Sequence, residues 1–298
     1  MRALSIVVLG GTGFLGTRLV ARMIKDGHQV TVLSRDRERH KHLLVLPGLA
    51  LENCDVYQEP QLSERFRGKD VVINLIGIRN EGFGRGSFRR AHTELTQHVL
   101  LAARSAGVTR LLQMSALKAS PAAPSSYLRS KGEAEKLIRD QNTALDWTIF
   151  QPSAMFGPGD SFLNRFAGLL AAIPGVFPLA RPNAKLQPVW VNDVVDGLVS
   201  CLHGGASSRQ TYELGGPQVY TRREVVSLVA TLTGRRRWII GLPGVPGVDS
   251  VCKEDGFAKL GIAPKSMAAS ARLFLGSEED NARLSQNRAA AGRAKSAP

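Results

Sequence analysis

Short apolar runs recur along the first half of the chain, at residues 4–9, 29–34, 49–56, 70–76, 110–115 and 147–151. The runs at 4–9 and 70–76 are nearly continuous in Val, Ile and Leu, which predicts strands covered on both faces, as in a parallel sheet. Between them, residues 14–26, 87–106 and 126–141 place apolar positions at helical spacing. Strands alternating with helices in this way predict a doubly wound α/β sheet with right-handed crossovers. After residue 151 the regularity breaks. FGPGDSFLNRF reads as a turn and then a helix, and 187–202 as a short strand and a helix with Asn192 or Asp193 near its N-cap. TYELGG is a further short strand, and Thr221 with Glu224 spells a capping box that opens a helix running to residue 233. No internal repeat is present. The pattern divides the chain into a core at 1–155, a smaller lobe at 156–280 with segments near 187–215 returning to the core, and a tail at 281–298 too poor in large apolar residues to fold.

The first strand runs directly into Gly10-Gly11-Thr12-Gly13-Phe14-Leu15-Gly16, and a helix pattern follows. Gly10 suits the tight turn, Gly13 a close backbone approach to a pyrophosphate, and Gly16 close packing of helix on strand. The helix N-terminus then presents N–H groups to the phosphates. The second strand ends in Ser34-Arg35-Asp36. Where NAD-binding chains place an acid, this one has Ser34 followed by a guanidinium, which suits a 2′-phosphate, so NADP(H) is expected over NAD(H). Asp36, one place later, is the alternative ribose acceptor. Asp55 and Val56 are expected beside the adenine, and Ile76 and Gly77 beneath the cofactor.

Ser115 ends the fifth strand, on the side where open α/β sheets bind ligands. Tyr127 and Lys131 are spaced i, i+4 and share a helix face. Lys131 suits the nicotinamide ribose and lowers the pKa of a neighbouring phenol. Tyr127 suits an acid/base role toward a carbonyl or alcohol, and Ser115 a hydrogen bond to its oxygen. The blander reading makes Tyr127 a surface residue, Ser115 a turn residue, and Lys131 one half of a solvated pair with Glu135.

Composition narrows the setting. Of 298 residues, 43% are hydrophobic and 21% charged, ordinary for a globular protein, but the net charge is +14. That charge invites phosphorylated cofactors or an anionic membrane surface. The basic residues are spread out and interleave no aromatics, so nucleic acid is set aside. Cys54, Cys201 and Cys252 lie far apart, which argues for reduced thiols in a cytoplasmic setting with neither a disulfide framework nor a metal site. His40 and His42 sit in a charged, solvated stretch. The N-terminus reads as a buried strand, not a signal peptide. The longest apolar run, 167–180, is broken by prolines and too short to span a bilayer. It reads as lobe core, as an apolar substrate slot, or as a membrane-facing patch. The loop GIRNEGFGRGSFRR reads equally as a mobile lid and as a solvated loop.

The glycine loop with Ser115, Tyr127 and Lys131 resembles the site of short-chain dehydrogenases. GGTGFLG, VINLIG, the SALKAS and SSYLRSKGEAE blocks, IFQPSAMFGPGD and QPVWVNDV look like the extended or atypical branch. Within it the pattern is most similar to the Rossmann-type accessory subunit of respiratory complex I and its bacterial NAD(P)-binding, epimerase/dehydratase-like relatives. The resemblance spans residues 3 to 275. It implies a Rossmann-type doubly wound parallel sheet with a small C-terminal α/β lobe, and adds Gln151, Pro152 and Ser153 to the cofactor site. It implies an oxidoreductase acting on a small molecule, or alternatively an NADPH-holding structural or assembly protein. The latter would be peripheral at the inner face of a membrane and in contact with respiratory-chain proteins. The chain departs from the family at Gln151, where arginine is common. It also has Ala154 and Phe156 where nucleotide-sugar enzymes carry asparagine and tyrosine, which weakens a third reading, a nucleotide-sugar epimerase or dehydratase.

Overall fold

The computed structural model describes residues 2–81, 86–141, 144–242 and 248–275. Along the chain run β1 (Ser5–Leu9), α1 (Phe14–Lys25), β2 (Gln29–Ser34), β3 (Leu49–Asn53), α2 (Glu59–Phe66), β4 (Val71–Asn74), α3 (Leu95–Ala106), β5 (Arg110–Met114), α4 (Ser126–Arg139) and β6 (Asp146–Pro152). There follow β7 (Met155–Phe156), α5 (Leu163–Ala172), β8 (Val176–Ala180), β9 (Lys185–Leu186), β10 (Val189–Trp190), α6 (Val191–Ser200) and β11 (Gln210–Leu214). The chain continues through β12 (Tyr220–Thr221), α7 (Arg222–Leu232), β13 (Trp238–Leu242), α8 (Gly256–Lys259) and α9 (Met267–Leu275).

Seven strands form one sheet in the order β11-β6-β5-β4-β1-β2-β3, and every neighbouring pair is parallel. This is the Rossmann-type doubly wound sheet that the alternation implies. The strand order reverses between β1 and β4, which opens a crevice outside the carboxyl ends of those strands. Helix α1 buries Leu15, Leu19, Val20 and Met23, one face of a 3.6-residue repeat. Three strands, β3, β4 and β5, end sooner than the apolar runs suggest. Cys54 still donates its N–H to Ser34 O (2.9 Å), but the chain then turns, with Gln58 N–H on Asp55 O (3.0 Å). The predicted helix at 87–106 is α3 preceded by a π-helical turn, Arg89–Glu94. Helix α6 starts at Val191, just before the residues expected to cap it.

The chain forms two compact units. Among the described residues, the first comprises the chain to Ser153, Val191–Gly215 and Cys252–Ala263; the second comprises Ala154–Trp190, Gly216–Val251 and residues 264–275. Residues 252–263, read from the sequence into the lobe, pack with the first unit. The predicted tail at 281–298 lies outside the described residues. The second unit has its own core, built from Phe156, Leu163, Phe166, Leu170, Phe177, Leu179, Trp190, Val225, Val229 and Phe274. Its helix α7 opens with the capping box expected, Glu224 N–H donating to Thr221 Oγ1 (3.2 Å) and Thr221 N–H to the Glu224 carboxylate (2.6 Å). Among the described residues no helix is long and apolar enough to cross a membrane.

Candidate functional site

The glycine loop closes at the carboxyl end of β1. Gly10 has φ +79°, and a side chain there would meet Ile76 N at 3.1 Å. A Cβ on Gly16 would lie 2.3 Å from Gly10 O, so α1 packs on the loop only because that residue is glycine. Gly13, the extended N-cap of α1, provides no side-chain cap for the first-turn N–H groups, the groups that a helix N-terminus offers to an anion. Leu15 is buried, and Phe14 carries the Arg18 guanidinium over its ring at 4.6 Å. Thr12 is half-buried within the loop.

Past the ends of β2 and β3 lies a cleft of about 520 Å³ lined by Arg35, Asn53, Cys54, Asp55, Tyr57, Gln61, Gly86 and Arg90. Arg35 is exposed at its rim. Ser34 is buried and closes the turn, accepting from Asp36 N–H at 3.2 Å. Asp36 caps the next turn by accepting from Arg39 N–H (3.1 Å), so its carboxylate has a structural partner. Asp55 accepts from Tyr57 N–H (3.1 Å) and stays on the cleft wall. Val56, expected beside the adenine, is corrected by the structure: its side chain is buried in the first unit's core with Leu62 and Phe66. Tyr57 takes that wall instead, with the Arg90 guanidinium 4.5 Å above its ring. Burial raises the Tyr57 pKa, opposed by the charges of Arg90 and Arg35, so both cations lie near its hydroxyl. Tyr57 and Arg90 carry no sequence motif and were invisible before folding.

At the β4 and β5 ends stands Lys131. It is fully buried, and its Nζ donates to Met114 O (3.1 Å) and Ile76 O (3.4 Å). Gly77 leaves room for it, since a Cβ there would come within 3.1 Å of Nζ. Burial pushes the Lys131 ammonium down to about 8, against the opposing pull of Glu135. Tyr127, one turn earlier on α4, is half-buried, and its hydroxyl has no hydrogen-bond partner among the described residues. Burial raises the Tyr127 pKa, and the cation that opposes this is Arg79, not Lys131 as the spacing suggested. The tyrosine ring is wedged edge-on against Phe88 and His92. His92, thrown inward by the π-helical turn, accepts from Ile78 N–H through Nε2 (3.1 Å). It therefore holds its proton on Nδ1 and donates to Ser130 Oγ (2.8 Å), which in turn donates to Tyr127 O (2.9 Å). Burial and the nearby Lys131 charge push His92 down to about 3, so it stays neutral.

Ser115 requires a second correction. It sits beside Met114 as expected, but its hydroxyl donates to Glu135 Oε1. Gln151 Nε2 reaches the same oxygen at 2.7 Å, and Arg139 holds Oε2 at 2.7 Å. Glu135 is 1% exposed, so this is no solvated helix pair but a satisfied buried carboxylate tying α4 to β5 and β6. A hydroxyl has one proton, and Ser115 commits it to Glu135 instead of a substrate oxygen. Gln151 likewise points inward, and Pro152 and Ser153 are buried strand-end residues whose main chain pairs with Leu117 and Leu214. The residues 82–85 of the suspected lid loop lie outside the described residues.

Comparison with known proteins fits this geometry. The profile of a family described as NAD(P)H-binding matches residues 10–160. The chain is 35% identical over 238 residues to the mitochondrial NADH dehydrogenase (ubiquinone) 1 alpha subcomplex subunit 9 of Arabidopsis thaliana, covering 78% of this chain and 58% of that one. It is 27% identical over 243 residues to a ceramide reductase of Caulobacter vibrioides, covering 82% and 74%. The chain thus spans about three fifths of the length of the plant relative. A solved dTDP-glucose 4,6-dehydratase from Streptomyces venezuelae superposes with TM-score 0.78 at 22% identity, covering 92% of this chain and 96% of that one, a likeness of fold.

Proposed function

The chain belongs to the NAD(P)H-binding family, and on that premise we propose that it is an NADP(H)-dependent oxidoreductase acting on a carbonyl or alcohol of a small, apolar molecule. The observation that carries this reading is the pair on α4: a fully buried Lys131 aimed past the β4 and β5 ends, and one turn before it a tyrosine hydroxyl with no partner among the described residues. The glycine loop accepts a pyrophosphate only because side chains are missing where a Cβ would clash, and Arg35 and Arg90 flank the cleft where a 2′-phosphate would lie. A bound nicotinamide supplies or accepts a hydride. The chain's own part is to hold and to move a proton. Lys131 has three donors, two of them on main-chain carbonyls, and the third suits a ribose hydroxyl. Tyr127 exchanges a proton with the substrate oxygen, its ring held by Phe88 and His92. Ser115 serves as a strut.

A second reading has its own support. Ser115's commitment to Glu135 removes one donor from the reacting oxygen, and the plant relative is by its name a subunit of NADH dehydrogenase. On that reading the dinucleotide is held as a structural element and the chain contacts respiratory-chain proteins. The nucleotide-sugar reading is weakest, because Phe156 is buried against Trp190 in the second unit's core.

The test is to release any dinucleotide from purified protein, identify it by mass, and time exchange with labelled NADPH. Exchange within seconds, with turnover on some carbonyl that Tyr127→Phe abolishes while NADPH still binds, is expected. Nucleotide retained for hours, with Tyr127→Phe silent in the cell, overturns the enzymatic reading in favour of the structural one.

A further inference from the structure

In the second unit, β8 and β13 pair in parallel, with Val176 opposite Trp238, Pro178 opposite Ile240 and Ala180 opposite Leu242. The alternate residues, Phe177 and Leu179, are buried in that unit's core. A two-stranded ribbon packed on one face normally turns polar residues outward. This one does not. Its outer face is Val176, Pro178 and Ala180 beside Trp238, Ile240 and Leu242, without one polar side chain. Trp238 is 82% exposed, Ile240 51%, Leu242 46% and Val176 45%, far from the scattered single exposures of an ordinary surface.

Both ends of the ribbon are basic. Arg235, Arg236 and Arg237 lead directly into Trp238, whose N–H bonds Gly175 O (3.0 Å) at the start of β8. At the other end Arg181 follows β8, and Arg222 reaches Ala180 O at 3.3 Å. Arg222 is less basic than usual, through burial and then the charges of Arg181 and Arg165, so three guanidiniums lie close together there. Arg223 lies along the ribbon between the two ends, on Ile239 O at 2.8 Å. The described residues of this unit carry ten Lys and Arg against three acids, of which Asp160 is buried and Glu224 serves the α7 cap.

We propose that the outer face of the β8–β13 ribbon docks on an anionic lipid surface, with Trp238, Ile240 and Leu242 entering the headgroup region and the flanking arginines on lipid phosphates. The chemistry favours lipid over a folded partner. The face is apolar and lacks hydrogen-bonding side chains to set register, while the charge bracketing it has one sign. A tryptophan at the boundary, with cations on either side, matches the layering of a bilayer interface. This docking is independent of the nicotinamide chemistry and survives if that reading fails.

The test uses the full chain with vesicles of phosphatidylcholine alone or mixed with phosphatidylglycerol. Trp147 and Trp190 are buried, so a change in tryptophan emission on binding reports Trp238. Sedimentation with the anionic vesicles only is expected, with emission shifting to shorter wavelength. Ile240→Asp, at an exposed position, is expected to weaken binding roughly tenfold or more, and Arg236→Gln about fivefold. Circular dichroism checks that both variants fold, and the emission shift of the unaltered chain needs no variant at all. Several results overturn the proposal: no binding to anionic vesicles, equal binding to neutral ones, or binding with unchanged emission. So does a concentration-dependent dimer lost in Ile240→Asp, which assigns the face to a second copy. An indole already shielded in vesicle-free monomer overturns it too, since the chain would then cover the face itself.

Discussion

Lys131 offers the sharpest quantitative expectation. Its ammonium is fully buried with two main-chain carbonyls for partners, and burial takes its pKa from 10.5 to about 8. At about 1.4 kcal/mol per pH unit, that gap amounts to ~3 kcal/mol. The sign follows from proton counting. Below pH 8 both folded and unfolded chains hold the proton, and the fold bears the full cost of a buried cation. Between pH 8 and 10.5 the unfolded chain binds more protons than the folded one, so stability rises with pH. Above that window the gain is complete. Other groups titrate there too, and a comparison with Lys131→Met cancels them. Urea denaturation of nucleotide-free protein across the window is therefore expected to show the original chain gaining ~3 kcal/mol relative to Lys131→Met. A constant difference between the two chains refutes the reasoning, because it means Lys131 titrates as a solvated lysine does.

Three further outcomes follow from local geometry. Gly16→Ala places a Cβ 2.3 Å from Gly10 O and is expected to abolish dinucleotide binding and lower the melting temperature, whereas Gly168→Ala, in α5 with nothing within 4 Å, raises stability by up to ~1 kcal/mol. A melting series on both variants checks the contrast. Arg35→Ala is expected to weaken NADPH about ten- to a hundredfold by calorimetry and leave NADH unchanged, as loss of a charge-assisted bond requires. Equal loss for both nucleotides would remove the 2′-phosphate from its role. Ser115→Ala is expected to cost ~1–2 kcal/mol in denaturant, because Glu135 loses one of its donors, while any turnover found persists within a few fold.

The core was legible because its signals are local. Apolar strands, the glycines of the loop and the i, i+4 pair on α4 each lie within a short stretch, and a doubly wound sheet follows once strands and helices alternate. What stayed hidden depends on partners far along the chain. Glu135 sits one turn after Lys131, which looks like a surface ion pair; only folding brings Ser115, Gln151 and Arg139 around it. Val56 reads as a strand end facing the cofactor until the turn at Asp55 rotates it into the core. The apolar stretch 167–180 divides in a way no periodicity reveals. Leu170, Phe177 and Leu179 are core, while Val176 and Pro178 face outward because β13, some sixty residues later, pairs beside them.

Two adjacent turns of α4 carry buried charges of opposite sign, and they are satisfied differently. Glu135 has its oxygens filled by Ser115 just past β5, Gln151 of β6 and Arg139 of α4 itself, so it holds the helix against the sheet. Lys131 has main-chain carbonyls for two of its donors and a pKa already lowered by burial. A charge kept in that state costs the fold stability, which is tolerable where a ligand later completes its shell. The division explains why losing Ser115 to Glu135 does not dismantle the site: the serine belongs to the anchored turn, and Lys131 and Tyr127 to the open one. Both functional readings need Lys131 on a ribose. Only the oxidoreductase reading needs the Tyr127 hydroxyl, so Tyr127→Phe, with its intact ring still packed on Phe88 and His92, is the change that separates them.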